Sequence, residues 1–277
     1  MRSSVAELIA ERIDSMPASE RRAAQTLIAA YPLIGLKTVA EFSQQAGVSS
    51  PTILRFVARL GFQNYPEFQA ALQVELAEQL QSPLLRGAQV KRGEGAPPMV
   101  DVTIENIRET FGHLSTRQMR EIVDRLSAPR SRIYLVGGRF SDAIASYMSA
   151  HLAIMRPHVM HLGGQEGAWF SRLVDMGKRD TLVVFDIRRY QNSLEDFSER
   201  AQRRGVAIVL VTDQWLSPIA RFARYVIAAR TAVPSRWDSS AALFVVAEAI
   251  IAEVSQALGQ EGEKRIRELD TLRRPED

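Results

Sequence analysis

The chain contains no cysteine. That excludes disulfides, thiolate metal sites and cysteine nucleophiles. Long apolar runs are also missing. The longest uninterrupted ones, such as Ala241 to Ala247, are about seven residues, against the roughly 20 that a membrane helix needs. The opening MRSSVAELIAERI carries acidic residues among its apolar positions, so it is not expected to act as a signal peptide. Neither a P-loop nor a GxGxxG run occurs. The four histidines, His113, His151, His158 and His161, lack the spacing of metal ligands. No metal and no cofactor is expected, and the expected location is the cytoplasm. Positive charge is scarce where a nucleic-acid binder would want it. The net charge is +3, and the first 80 residues hold seven Lys/Arg against eight Asp/Glu. Nucleic-acid binding would therefore depend on where a few arginines sit.

What is present is a globular composition, 46% hydrophobic and 24% charged, in 277 residues. That length suits two domains. Residues 1–80 read as helices, with Val5, Leu8, Ile9, Ile13 and Met16 at helical spacing. The run SPLLRGAQVKRGEGAPP within 81–98 is rich in Gly, Pro and charge and is expected to be a linker. From 99 two amphipathic helices, 99–112 and 116–127, precede an alternation of short apolar runs and helices. The runs are 132–136, 158–162, 181–186, 207–212 and 225–229. Near-continuous apolar strands separated by helices predict a five-stranded parallel sheet in a three-layer α/β domain over 99–258. Residues 259–277 are expected to be a polar tail, either a short helix or disordered.

The segment 38–68 carries the strongest local signal. Thr38 and Glu41 form a capping box, which starts a helix. Gly47 supplies the turn, Ser49 or Ser50 caps the next helix, Pro51 falls in its first turn and Gly61 ends it. On that second helix Ile53, Phe56, Val57 and Leu60 share one face, while Thr52, Arg55 and Arg59 are spaced to share another. A helix-turn-helix needs such a recognition helix: one face held down, the other offered to the major groove. Ser49, Ser50, Thr52, Arg55 and Arg59 are the candidate contacts to double-stranded DNA. An ordinary helical hairpin with a solvated arginine face would show the same stripe.

In an open parallel sheet ligands bind beyond the carboxyl ends of the strands. Gly137, Gly138 and Ser141 follow the first strand, Ser141 placed to cap a helix and offer a hydroxyl to an anion. Arg188, Arg189, Tyr190, Asn192 and Ser193 follow the third, and Arg230, Arg236 and Asp238 follow the fifth. Arginines at these ends make an anion-binding mouth, unless neighbouring carboxylates pair with them. Glu166, His161 and Glu248 are the candidates for a general base, and none sits in a specific catalytic motif.

The run from Ala46 to Phe68, through Val48, Ser49, Thr52, Ile53, Arg55, Phe56, Leu60, Gly61, Phe62, Tyr65 and Glu67, resembles the N-terminal domain of the RpiR/MurR family of bacterial transcription regulators. Residues 130–258 resemble a SIS domain, the sugar-isomerase fold that follows the helix-turn-helix in that family, through VGGRFS at 136–141 and TDQWLSPIA at 212–220. The resemblance implies a winged or extended helix-turn-helix. It also implies a homodimer or homotetramer on paired half-sites, and a small anionic effector rather than a reaction. Where the family's second loop usually reads S-x-S-G-x-T, this chain has DIRRYQN from Asp186 to Asn192. Hydroxyls are lost there and arginines gained, so the expected ligand is an anion, a phosphosugar or a carboxylate. The competing reading is a sugar-phosphate isomerase or lyase with a helical extension, which would not need the Thr52/Arg55/Arg59 stripe.

Overall fold

A computed structural model describes residues 4–80 and 99–273. The linker expected over 81–98 and the end of the tail, 274–277, lie outside these residues. The chain divides into two compact units. One comprises Met1–Ser115, Thr212–Arg221 and Ala228–Ala242; the other comprises Thr116–Val211, Phe222–Ile227 and Leu243–Asp277.

The first unit is built on helices α1 (Val5–Arg12), α2 (Ala18–Ala29), α3 (Val39–Ala46), α4 (Ser50–Arg59), α5 (Tyr65–Leu80) and α6 (Met99–Gly112). Two of the starts have a reciprocal cap. Ser4 and Glu7 form a reciprocal capping box on α1, as Thr38 and Glu41 do on α3. Gly47 then closes α3 at φ 61°, a left-handed conformation that glycine adopts without a Cβ clash. Apolar residues of α1 to α5 meet in one core around Ile9, Leu27, Phe42, Ile53, Phe56 and Phe68, all fully buried. Phe42 of α3 meets Phe56 of α4 edge to face, centroids 6.3 Å apart. Truncating either ring to alanine would cost about 3–5 kcal/mol.

The α/β elements follow the predicted order: α7 (Thr116–Ser127), β1 (Ile133–Gly137), α8 (Asp142–Met155), β2 (Val159–His161), α9 (Glu166–Arg172), β3 (Thr181–Asp186), α10 (Asn192–Arg203), β4 (Ala207–Asp213), β5 (Tyr225–Ala229) and α11 (Ala241–Arg273). The five strands form a parallel sheet in the order β2-β1-β3-β4-β5. Ile133 of β1 lies opposite Val159 of β2 and Thr181 of β3. Every residue of β1, β3 and β4 is buried. That is why these strands read as continuous rather than alternating apolar runs: helices cover both faces.

The C-terminal segment expected as a polar tail is helical through Arg273. The helix breaks once, at Gly259 (φ 48°, ψ −128°), and resumes. Gly262 is buried and Ile266 and Leu269 are half-buried, a helical spacing that gives the segment one packed face. Arg265 donates its Nε to the Ala153 carbonyl at 3.2 Å. The stretch Ala241–Leu272 is long and apolar enough to cross a membrane by length and composition. Its Leu243, Val246, Ala247, Ile250 and Val254 are buried within the fold.

Candidate functional site

On α4 the exposed positions are Pro51, Leu54, Arg55, Ala58 and Arg59, at i, i+3, i+4, i+7 and i+8. The inward ones, Ile53, Phe56 and Val57, are at most 1% exposed. Of the residues expected to face DNA, Ser49 and Arg55 are exposed and Ser50 is half-buried. Ser49 occupies the N-cap without a side-chain cap; its Oγ pairs with Thr52 Oγ1 at 2.9 Å, and Ser50 Oγ with Ser43 Oγ at 3.2 Å.

Thr52 and Arg59 differ from the expected stripe. Thr52 is 4% exposed, and its Oγ1 accepts from Arg55 Nη2 at 3.2 Å. One residue before Ile53 and four before Phe56, it turns toward the core side and steers Arg55 from beneath. Arg59 is exposed but committed: its Nε meets the buried carboxylate of Glu20 on α2 at 2.5 Å. That hydrogen bond, with the charge behind it, holds the Arg59 pKa above its ordinary value. The Arg59 carbonyl in turn accepts from Arg12 Nη1. Arg55 is therefore the arginine of α4 whose charge faces outward.

In the α/β unit, β1 has β2 on one side and β3 on the other. The chain leaves β1 toward β2 and later crosses back, so the connections after β1 and β3 run to opposite faces and open a crevice at the carboxyl edge. Gly137 ends β1 because α8 begins against it: a Cβ there would lie 2.4 Å from both the N and the Cα of Asp142. Three successive N–H groups leave the strand, and all three are satisfied within the unit. Gly137 N–H donates to Asp142 Oδ1 at 3.1 Å. Gly138 N–H donates to the Phe185 carbonyl and to Ser141 Oγ, each at 2.9 Å. Arg139 N–H donates to Gln191 Oε1 at 2.8 Å.

Ser141 therefore has a different role from the one expected. It is 1% exposed, sits at the N-cap without capping α8, and donates its hydroxyl proton to the Phe185 carbonyl at 2.6 Å. It clamps the β1 loop to β3. Gln191, which the sequence reading passed over, performs the same task from the β3 side. Asp142 adds a third tie, its Oδ1 2.8 Å from His161 Nε2 at the end of β2. Only one signal in the sequence pointed to Gln191, its place immediately before α10.

The β3 loop contributes the charge. Asp186 is 1% exposed, Arg188, Tyr190 and Ser193 are half-buried, and Arg189 and Asn192 are exposed. Arg189 has φ 72°, a left-handed conformation that costs a side-chain-bearing residue about 1–2 kcal/mol. Arg236 and Asp238, exposed and half-buried, lie after β5 and group with the first unit. Arg230, the first residue after β5, is 5% exposed and pairs with Glu7 of α1, so it does not belong to an open anion mouth. Of the candidate bases, Glu248 accepts from Tyr147 Oη at 3.1 Å, Glu166 is an exposed residue of the first turn of α9, and His161 is held by Asp142. Among the described residues no group of three or more His, Asp or Glu side chains could hold a metal ion.

Two family models match the chain. The helix-turn-helix domain of the rpiR family matches residues 3–79, and the SIS domain matches residues 126–253. A transcriptional regulator of the helix-turn-helix type from Haemophilus influenzae is 23% identical over 77% of this chain and 75% of its own length. HexR of Pseudomonas aeruginosa, another regulator of that type, is 24% identical over 78% of this chain and 75% of its own. The bifunctional protein glk of Paraburkholderia xenovorans is 24% identical over 79% of this chain, which spans only 34% of that larger protein. Among solved structures, the sugar isomerase domain of an RpiR transcription factor from Sphaerobacter thermophilus superposes with a TM-score of 0.56, at 24% identity, over 62% of this chain and 96% of that one. Vibrio vulnificus NanR complexed with ManNAc-6P superposes with a TM-score of 0.53, at 14% identity, over 95% and 97%.

Proposed function

This chain, a helix-turn-helix domain of the rpiR family followed by a SIS domain, is a ligand-sensing transcription regulator, and we propose that its effector is a small anion bound in the crevice between the loops after β1 and β3. The β3 loop carries the proposal: two adjacent arginines at the sheet's switch point, the second held at φ 72°. A guanidinium pairs bidentately with carboxylate or phosphate. NanR is a fold relative complexed with a phosphorylated amino sugar, which supports phosphate as one of the two headgroups. Arg188 and Arg189 bind the anion, and Tyr190, Asn192 and Ser193 orient it.

At the other end, α4 enters the major groove of double-stranded DNA, with Ser49, Ser50 and Arg55 at bases or phosphates and Thr52 setting the Arg55 rotamer. The helix-turn-helix spans residues 1–80, joined through 81–98 to the sensor at 99–258. The protein works in the cytoplasm as a homodimer or homotetramer, since recognition helices on paired half-sites require two copies. The effector is bound, not turned over. Its binding changes the spacing of the recognition helices by favouring one of two conformations.

Calorimetry tests the sensor half, with inorganic phosphate, hexose 6-phosphates, N-acylated hexosamine 6-phosphates and hydroxy acids titrated into the wild type and into Arg188→Ala/Arg189→Ala. A ligand of the wild type should lose at least about tenfold in affinity in the variant. Unchanged affinity would overturn the site. A gel shift on the DNA upstream of the protein's own coding region, with and without that ligand, tests the DNA half. Equal binding to that DNA and to random DNA would refute it.

A further inference from the structure

The ten residues of α4, SPTILRFVAR, include neither Asn nor Gln, the amides that pair with adenine, and no Lys, Asp or Glu. The hydrogen-bonding side chains of the helix are Ser50, Thr52, Arg55 and Arg59. Thr52 is 4% exposed and Arg59 is held by Glu20. Ser43 donates its hydroxyl proton to the Ala40 carbonyl at 2.8 Å, so in the 3.2 Å contact between Ser43 and Ser50 it is Ser50 that donates. Arg55 has given one N–H to Thr52 and keeps the rest of its fork for a base edge. An arginine fork pairs with guanine. Hydrogen bonds from this helix therefore leave the A·T pairs of a binding site poorly read.

The exposed face of α4 offers apolar surface instead. Leu54 is 48% exposed, and Pro51 and Ala58 are exposed three residues before it and four after it. By helical spacing Pro51 and Ala58 point away from the buried Ile53, Phe56 and Val57, with Leu54 on one side of that line and Arg55 on the other. A single exposed leucine on a protein surface needs no explanation. This one adjoins two further apolar side chains on the face that a recognition helix turns to the groove. The apolar feature of the major groove is the thymine C5-methyl, which distinguishes thymine from cytosine and adenine.

We propose that Leu54 is a specificity-determining residue: it covers the C5-methyl of a thymine, Pro51 and Ala58 extend the contact, and Arg55 reads guanine beside it. The proposal rests on the reading of α4 as the DNA-contacting helix. It assigns base choice on α4 to one apolar and one charged side chain that are neighbours in sequence.

The test is a titration of the full chain, followed by fluorescence anisotropy, with the DNA upstream of its own coding region made either with thymine or with uracil throughout. Uracil keeps the base pairing and the groove hydrogen bonds of thymine and lacks the methyl. The wild type should bind the thymine DNA on the order of fourfold more tightly for each methyl covered. Leu54→Ala should lose that factor on thymine DNA and bind uracil DNA nearly as the wild type does, so its thymine-to-uracil ratio falls toward one. A change in duplex shape caused by uracil acts on both proteins and cancels when the ratios are compared. Arg55→Ala should bind both DNAs more weakly and keep the wild-type ratio. Added salt should weaken every complex and leave the ratios unchanged, because a methyl contact releases no counterion. Alanine is the better helix former and Leu54 is exposed, so the variant should melt as the wild type does. Leu54→Met, which restores an apolar side chain of similar size, should restore the ratio. Equal binding of the two DNAs by the wild type, or an unchanged ratio in Leu54→Ala, would overturn the role of Leu54 while the preference for upstream over random DNA still stood. Equal binding to thymine DNA and to random DNA would overturn the DNA reading itself, and this inference with it.

Discussion

Replacing Glu7 by alanine removes the carboxylate that meets Arg230 in a two-pronged fork. The two side chains are 2% and 5% exposed. Arg230 reaches Oε1 through Nε at 2.6 Å and Oε2 through Nη2 at 2.8 Å, and Glu7 also accepts from Ser4 N at 2.6 Å. Burial alone would lower the Arg230 pKa, but the hydrogen bonds and charge of Glu7, with the charges of Glu109 and Glu105, outweigh it and leave the pKa raised. The guanidinium therefore stays charged when its partner goes. Glu109, 3.5 Å away and 33% exposed, is too distant and too solvated to take over. Removing one member of a buried pair costs about 3–5 kcal/mol, because the other charge is stranded. For a unit of this size that is a drop in melting temperature of about 6–20 °C. Urea unfolding followed by the fluorescence of Trp215, 3% exposed in the same unit, measures it. The double variant Glu7→Leu/Arg230→Met should recover most of the loss, short of the α1 cap, about 0.5–1 kcal/mol. A loss under about 1 kcal/mol in Glu7→Ala would mean that water screens the pair as it screens surface pairs, and the reasoning would fail.

Arg55→Ala should weaken operator binding about 5–150-fold with unchanged thermal stability. Arg59→Ala should instead lower stability, since it leaves Glu20 buried without its donor; a gel shift paired with a melting curve separates the two. Gly137→Ala places a methyl 2.4 Å from the backbone of Asp142 and should cost about 1–3 kcal/mol while loosening the anion crevice, as read by urea unfolding and calorimetry. Burial holds the Glu75 carboxyl at about 7 against an ordinary 4.5, so the folded state keeps a proton that the unfolded chain gives up first. Stability is highest below about pH 4.5 on this account, falls by on the order of 3 kcal/mol as pH rises to about 7, and is level above that. Urea midpoints across that range should flatten in Glu75→Gln, which should also be the more stable protein above about pH 7.

The fold was legible wherever the deciding interaction is local or strongly patterned. The capping box of Thr38 and Glu41 and the left-handed Gly47 are set by residues a few positions apart, and each stands where the sequence puts it. Strands β1, β3 and β4 were readable because burial on both faces leaves continuous apolar runs. The polar, charged composition of 259–277 hid the helix there, because only a narrow face, with Gly262 buried and Ile266 half-buried, packs while the rest stays in solvent. The site was less legible because an arginine in sequence shows its charge but not its partner. Arg59 and Arg230 find theirs 39 and 223 positions away. Ser141 and Gln191 are likewise defined by contacts across 44 and 52 positions.

Those long-range contacts also bear on what the sensor can recognise. A phosphate cradle relies on backbone N–H groups and hydroxyls that point at the ligand. At the end of β1 the N–H groups of Gly137, Gly138 and Arg139 are already engaged by Asp142, Phe185, Ser141 and Gln191. The Ser141 hydroxyl proton is engaged as well. A ligand entering the crevice would have to break these ties before using them, at a cost comparable to what it gained. The positive charge on the long side chains of the β3 loop carries no such cost where Arg189 is exposed at the rim. Recognition by guanidinium differs from recognition by a cradle. It is planar and bidentate, it suits carboxylate as well as phosphate, and it places the anion farther from the sheet by the length of the side chain. At the proposed site, arginines standing where hydroxyls would otherwise cradle the headgroup would therefore set how deep the ligand sits as well as which headgroup it carries.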